Sequence, residues 1–232
     1  MRIEYAGMLR SRMRMFVFMG DTHMKKEKKE RTLSEAEQRR LERFKKTAAE
    51  MEQQGYTRHD LTVDIGKANV FAILLLLPLF VIGYGLLFLV NHNISFGRFN
   101  AFLFLAVFIV LIAVHELIHG ICWSFSTPHH FQDIEFGIMK SSLTPYCACL
   151  VPLKKGHYIF GTVMPLIILG ILPMVYGIAF GRPGILFLGI LMADAAAGDI
   201  LIIRKLLKHK SSAKEIVYMD HPTEAGGVVF ER

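Results

Sequence analysis

Phe102-Leu-Phe-Leu-Ala-Val-Phe-Ile-Val-Leu-Ile-Ala-Val-His115-Glu116-Leu-Ile-His119-Gly-Ile-Cys-Trp123 is the stretch whose reading decides the fold. As a helix rising 1.5 Å per residue it covers about 33 Å, enough to cross the roughly 30 Å hydrocarbon core of a bilayer. On that helix His115 and His119 stand one turn apart on one face, so their imidazoles can hold one metal ion. Glu116 lies beside them, placed to act on water rather than to serve as a ligand. Ionisable groups inside an apolar span are costly, and a chain that keeps three so close together uses them.

Composition supports a membrane setting. The 232 residues are 53% hydrophobic with a mean hydropathy of +0.38, above what an ordinary soluble domain carries, and the apolar residues fall in long runs. The net charge of +7 does not point to nucleic acid. Residues 1–60 hold 15 of the 27 Lys/Arg interleaved with 10 acids, and most of the others flank apolar runs. Membrane topology and anionic headgroups explain that distribution better than a nucleic-acid groove, so the expected partners are the lipid bilayer and a membrane protein or peptide substrate. Cys122, Cys147 and Cys149 have no disulfide-framework spacing; packing is the simpler reading for each, with metal binding by the 147/149 pair as the alternative.

Taken in order, residues 1–33 read as a basic, disordered tail, of which 1–23 resemble an over-extended start ahead of Met24. Ser34-Glu35-Ala36-Glu37 is a capping box opening an amphipathic cytosolic helix to about Gln54, with Gly55 as its stop. Leu41, Phe44, Ala48 and Met51 form its apolar stripe. Leu61–Ile65 alternates as a short strand, which closes a segment 34–66. A core at 67–210 holds four spans, at about 70–90, 102–123, 158–180 and 185–203. Between the second and third, residues 134–139 and 143–151 read as a membrane-associated β-hairpin turning at Lys140-Ser141-Ser142. The functional reading of that hairpin is a sheet edge that holds an extended peptide. Residues 211–232 form a cytosolic tail with a strand-like Ile216-Val217-Tyr218-Met219. The expected fold is therefore an all-α membrane protein of four transmembrane helices with that hairpin and the N-terminal helix attached.

Basic residues set the orientation. With both termini cytosolic, the two outer loops carry only Arg98 and Arg182, as the positive-inside rule requires. His119 and Asp199 then each lie about five residues from the inner end of a span, roughly 8 Å deep. Asp194 lies some 7 Å farther in. Asp199 is thus the better third ligand, with Asp194 as runner-up or as a buried acid bonded to a neighbour. Ala195-Ala196-Ala197-Gly198 lets the helices approach closely enough for a short aspartate to reach.

The motif at 115–119, the hairpin-like insert and an aspartate on a later span resemble the site-2 protease class of intramembrane zinc metalloproteases. From about Gln38 onward the chain more closely resembles the small bacterial family of putative zincin peptidases, domain of unknown function 3267. That resemblance rests on the four-span pattern, His115-Glu116-x-x-His119, Gly198-Asp199 and Asp220-His221-Pro222. It implies a multi-pass protein of the bacterial cytoplasmic membrane that binds Zn2+ through His115, His119 and Asp199. It also implies peptide hydrolysis with Glu116 as general base, the fourth zinc position being left for water. Two other classes remain to be weighed: a zinc-binding membrane scaffold without activity, and a small transporter or proton relay using Glu116, Asp194 and Asp199.

Overall fold

A computed structural model describes residues 33–91, 94, 100–139 and 144–232. All but the last residue of the tail expected at 1–33, most of the Asn91–Asn100 turn with Arg98, and the Lys140-Ser141-Ser142 turn lie outside the described residues.

Helix α1 (Glu35–Gln53) begins at the capping box. The Ser34 hydroxyl accepts from the Glu37 amide, and the Glu37 carboxylate accepts from the Ser34 amide. Gly55, at φ +86°, turns the chain out of the helix and into β1 (Thr57–Thr62). The strand expected at 61–65 thus starts earlier, because Asp64 is spent as the N-cap of the next helix, where its side chain accepts from the Lys67 amide.

Among the described residues three helices are long and apolar enough to cross a membrane: α2 (Ile65–Val90), α3 (Ala101–Ser124) and α4 (Lys155–Ala179). Their outward side chains fit no aqueous surface; Ile73, Leu89 and Phe102 are 72%, 75% and 88% exposed. Helix α4 loosens into a π-type turn at Leu166–Ile171, directly after Pro165, whose ring lacks an amide hydrogen to donate.

The expectation of an all-α protein with four transmembrane helices is wrong on two counts. The run expected as the fourth span is two helices, α5 (Pro183–Ala195) and α6 (Ala197–Lys208), bent by 47° at Ala196. The described residues also form two antiparallel sheets, and the larger is not a hairpin accessory. It orders its strands β1-β6-β5-β4, with β4 at Leu153–Lys154, β5 at Ile216–Asp220 and β6 at Gly226–Glu231. The second sheet is the hairpin β2 (Ile134–Met139) and β3 (Thr144–Cys149), close to where the alternation placed it.

The central strands β5 and β6 of the large sheet are covered on both faces, whereas the edge strand β1 is largely exposed, and the period-two alternation divides the core. Met219, Val228 and Phe230 pack with Phe44 and Ala48 of α1. Tyr218 and Val229 point the other way, toward Trp123, Tyr158, Leu206 and Cys149. A central strand with two covered faces reads as a continuous apolar run rather than an alternating one. Gly226 (φ +115°) starts β6 where a Cβ would stand 2.7 Å from the Leu61 carbonyl oxygen, so only glycine lets β1 and β6 pair there.

Candidate metal centre

Helix α3 carries His115 and His119 on its buried side near its C-terminal end. Asp199 sits in the first turn of α6, just past the bend at Ala196. A carboxylate in that position is favoured by the positive end of the helix dipole. The bend thus decides which face of the broken helix meets α3. His115 Nε2 lies 3.1 Å from Asp199 Oδ2, His119 Nε2 lies 3.5 Å from that oxygen, and the two Nε2 atoms are 3.2 Å apart.

This triangle fits a metal ion by its chemistry and its edges. His119 Nδ1 is 2.8 Å from the Gly161 carbonyl oxygen, which can only accept, so Nδ1 carries the hydrogen and Nε2 of the neutral ring is a lone pair. That lone pair faces the Nε2 of His115, an arrangement that requires a shared proton or a cation between them. Tetrahedral zinc with ligands at 2.0–2.1 Å sets them about 3.3 Å apart, in the range of the three edges observed. His115, His119 and Asp199 would hold the ion, and three protein ligands leave a tetrahedral position open.

Supporting contacts fix His119. The His119 ring stacks on Trp123, with centroids 5.2 Å apart, and Trp123 stacks on Tyr158 at 5.6 Å while donating to the Tyr158 carbonyl at 3.1 Å. Gly161 makes this possible, because a Cβ there would lie 2.1 Å from Trp123 Nε1. The missing side chain lets the indole lie against α4 and brings the Gly161 carbonyl to His119. His115 Nδ1 is buried without a hydrogen-bond partner among the described residues.

The hairpin delivers its edge to the site. Leu150 N–H donates to the Asp133 carbonyl, which fixes the phase of the ladder. By alternation the amides of Cys147 and Cys149 then point away from β2. Each finds a carboxylate: Cys147 N–H donates to Glu116, and Cys149 N–H donates to Asp220 at 2.7 Å. Pro145 shares that outer edge, where its lack of an amide hydrogen breaks no ladder bond. The backbone amides at 147 and 149 are what these carboxylates bond. Burial, and after it the Asp220 carboxylate, push both thiols up, away from the thiolate form a metal would need.

Asp220 ties the large sheet to this edge. Its carboxylate takes the Cys149 amide on one oxygen and the Tyr158 hydroxyl on the other. Arg40 of α1 secures the hairpin from the other side. Its guanidinium lies over the Tyr146 ring at 4.3 Å, 3.6 Å from Glu135, and its Nε donates to the Pro222 carbonyl at 2.6 Å. The sequence reading missed Arg40, Tyr158 and Gly161. The Asp220-His221-Pro222 cluster was the one signal that could have pointed to the tail.

The structure therefore brings His115, His119 and Asp199 together with Glu116 alongside. Asp194 is outside this group, on the far side of the bend, with its Oδ1 unpartnered among the described residues. Cys122 packs with Ile118, Leu169 and Met192 in the apolar interior. His129 lies against Asp133, and His221 accepts from the amides of Thr223 and Glu224 within the β5–β6 turn.

Two histidines a turn apart and a carboxylate from another helix form a group that could hold one metal ion, with an intervening glutamate beside it. Residues 108–214 match the family model described as "Putative zincin peptidase", domain of unknown function 3267. The family implies a zinc-dependent peptidase. Neither a curated protein nor a solved structure matches the chain.

Proposed function

We propose that this chain is a membrane-embedded zinc metallopeptidase, of the site-2 protease kind, acting on membrane or juxtamembrane peptide substrates. The observation that carries the reading is the convergence of three donor atoms from two helices beside a glutamate that is not one of them. Bound zinc would polarise the scissile carbonyl and make water acidic near neutral pH. Glu116 takes the proton of the attacking water and passes it to the leaving amine nitrogen. The Cys147 amide holds one side of the Glu116 carboxylate, which limits its rotation and leaves lone pairs for that transfer. The outer edge of β3 passes the same carboxylate, and with its amides already bonded it offers its carbonyls to the backbone amides of a substrate in extended form. The His119 ring cannot turn, being stacked on Trp123 and bonded to Gly161, which keeps Nε2 directed at the ion.

The test separates metal from hydrolysis. Purified wild type and Glu116→Gln are assayed for zinc per chain, and membrane fragments are compared between cells expressing each. Both proteins are expected to hold one zinc, with only the wild type producing fragments. Identical fragment patterns would leave a zinc scaffold, and wild type without zinc after loading would remove the metal centre.

A further inference from the structure

We infer that Lys67, Arg204 and Lys208 form a binding site for the phosphate headgroup of an anionic phospholipid, in the cleft where α2 leaves the large sheet. The cleft has a volume of about 460 Å3 and joins the first turn of α2 to the last turns of α6. Four cations line it, Lys67, Arg204, Lys205 and Lys208, with two acids, Asp64 and Glu224. Lys205 is already used, since its ammonium donates to the Thr62 carbonyl. Asp64 is used as the cap of α2. Lys67, Arg204 and Lys208 are exposed and make no ion pair among the described residues. Four cations against two acids leave the lining with a net positive charge, which a bound anion offsets.

The surroundings select an amphiphile over a free anion. Ile65 and Leu207, adjacent in sequence to this cluster, are 49% and 61% exposed. Beyond Lys67, the side chains of Val70, Ile73, Leu74 and Leu77 continue down α2 with most of their surface uncovered. A phosphate ester held by the three cations would lay its acyl chains along this apolar surface. Inorganic phosphate would use the cations alone. The inference rests on α2 as a membrane helix and not on peptidase activity. Basic side chains at an anionic surface each contribute about fivefold in affinity, so losing three is expected to cost about 100-fold.

Native mass spectrometry of the detergent-solubilised full chain, titrated with lipid, tests this. Phosphatidylglycerol and phosphatidylcholine of matched acyl chains are compared with inorganic phosphate. Wild type is expected to retain one phosphatidylglycerol in clear preference to phosphatidylcholine. Lys67→Ala/Arg204→Ala/Lys208→Ala is expected to lose that preference, and the single Lys208→Glu to weaken it at least fivefold. Lys46→Ala/Lys154→Ala/Lys214→Ala removes the same charge from exposed positions elsewhere and is expected to bind as wild type does. Equal loss in both triple variants would overturn the site in favour of diffuse surface charge. Displacement of the lipid by equimolar inorganic phosphate would overturn the lipid as its ligand, and equal retention of both lipids would overturn the headgroup contact.

Discussion

Replacing Asp220 by asparagine tests whether the tail carboxylate that joins the sheet to the hairpin is buried as tightly as its contacts indicate. Burial pushes Asp220 up from 3.8 to about 6, while the Tyr158 hydroxyl and the Cys149 amide pull the other way by stabilising the charge. The folded protein therefore binds the Asp220 proton more tightly than the unfolded chain does. Its contribution to stability is full below pH 3.8 and declines as pH rises through 6, by about 3 kcal/mol at 1.36 kcal/mol per unit. The asparagine side chain has no such titration, and its oxygen can still accept from Cys149. The destabilisation caused by Asp220→Asn should then be about 2–3 kcal/mol greater at pH 4 than at pH 7, all other titrating groups cancelling in the difference. For a chain of this size that corresponds to about 4–12 °C in the gap between the two melting temperatures. Thermal unfolding of the detergent-solubilised proteins, followed by circular dichroism from pH 4 to 7, reads it directly. Melting curves of the two proteins that stay a constant distance apart across that range would refute the argument, because Asp220 would then titrate as an exposed aspartate does.

The metal centre makes two further predictions. Asp199→Asn should weaken zinc binding by more than the roughly 10–100-fold typical of losing a supporting group, whereas Asp194→Asn should leave it nearly unchanged. Competition with a zinc chelator measures both, and the reverse order would transfer the ligand role to Asp194. Gly161→Ala should displace Trp123, costing about 1–3 kcal/mol as overpacking does and loosening the carbonyl that holds His119. Trp123 is the single tryptophan of the chain and stacks on His119, so its emission reports the displacement, and an unchanged spectrum would contradict the packing described.

Much of this protein was open to local reading. The capping box and Gly55 bounded α1 within a residue, and the long apolar runs located three helices that can cross a membrane. The His115–His119 spacing followed from helix geometry alone. The broken helix was not readable in the same way. Its apolar run is continuous, and a string of alanines favours a helix as strongly as it permits a break. The tail failed for a different reason. Gly226-Gly227 looks like a turn in isolation, yet it begins a fully buried central strand because the β1 backbone leaves no room for a side chain.

By itself the sequence determined the residue types and spacings that depend on near neighbours: apolar helices of membrane length, two imidazoles on one face, a glutamate beside them. Only the tertiary structure decided that the bend at Ala196 turns Asp199 toward those imidazoles, that the Cys147 amide holds Glu116, and that Asp220 fastens the hairpin to a sheet some 70 residues downstream. Those contacts join distant segments through backbone direction and buried carboxylates, and such pairings leave no periodicity for a local pattern to carry.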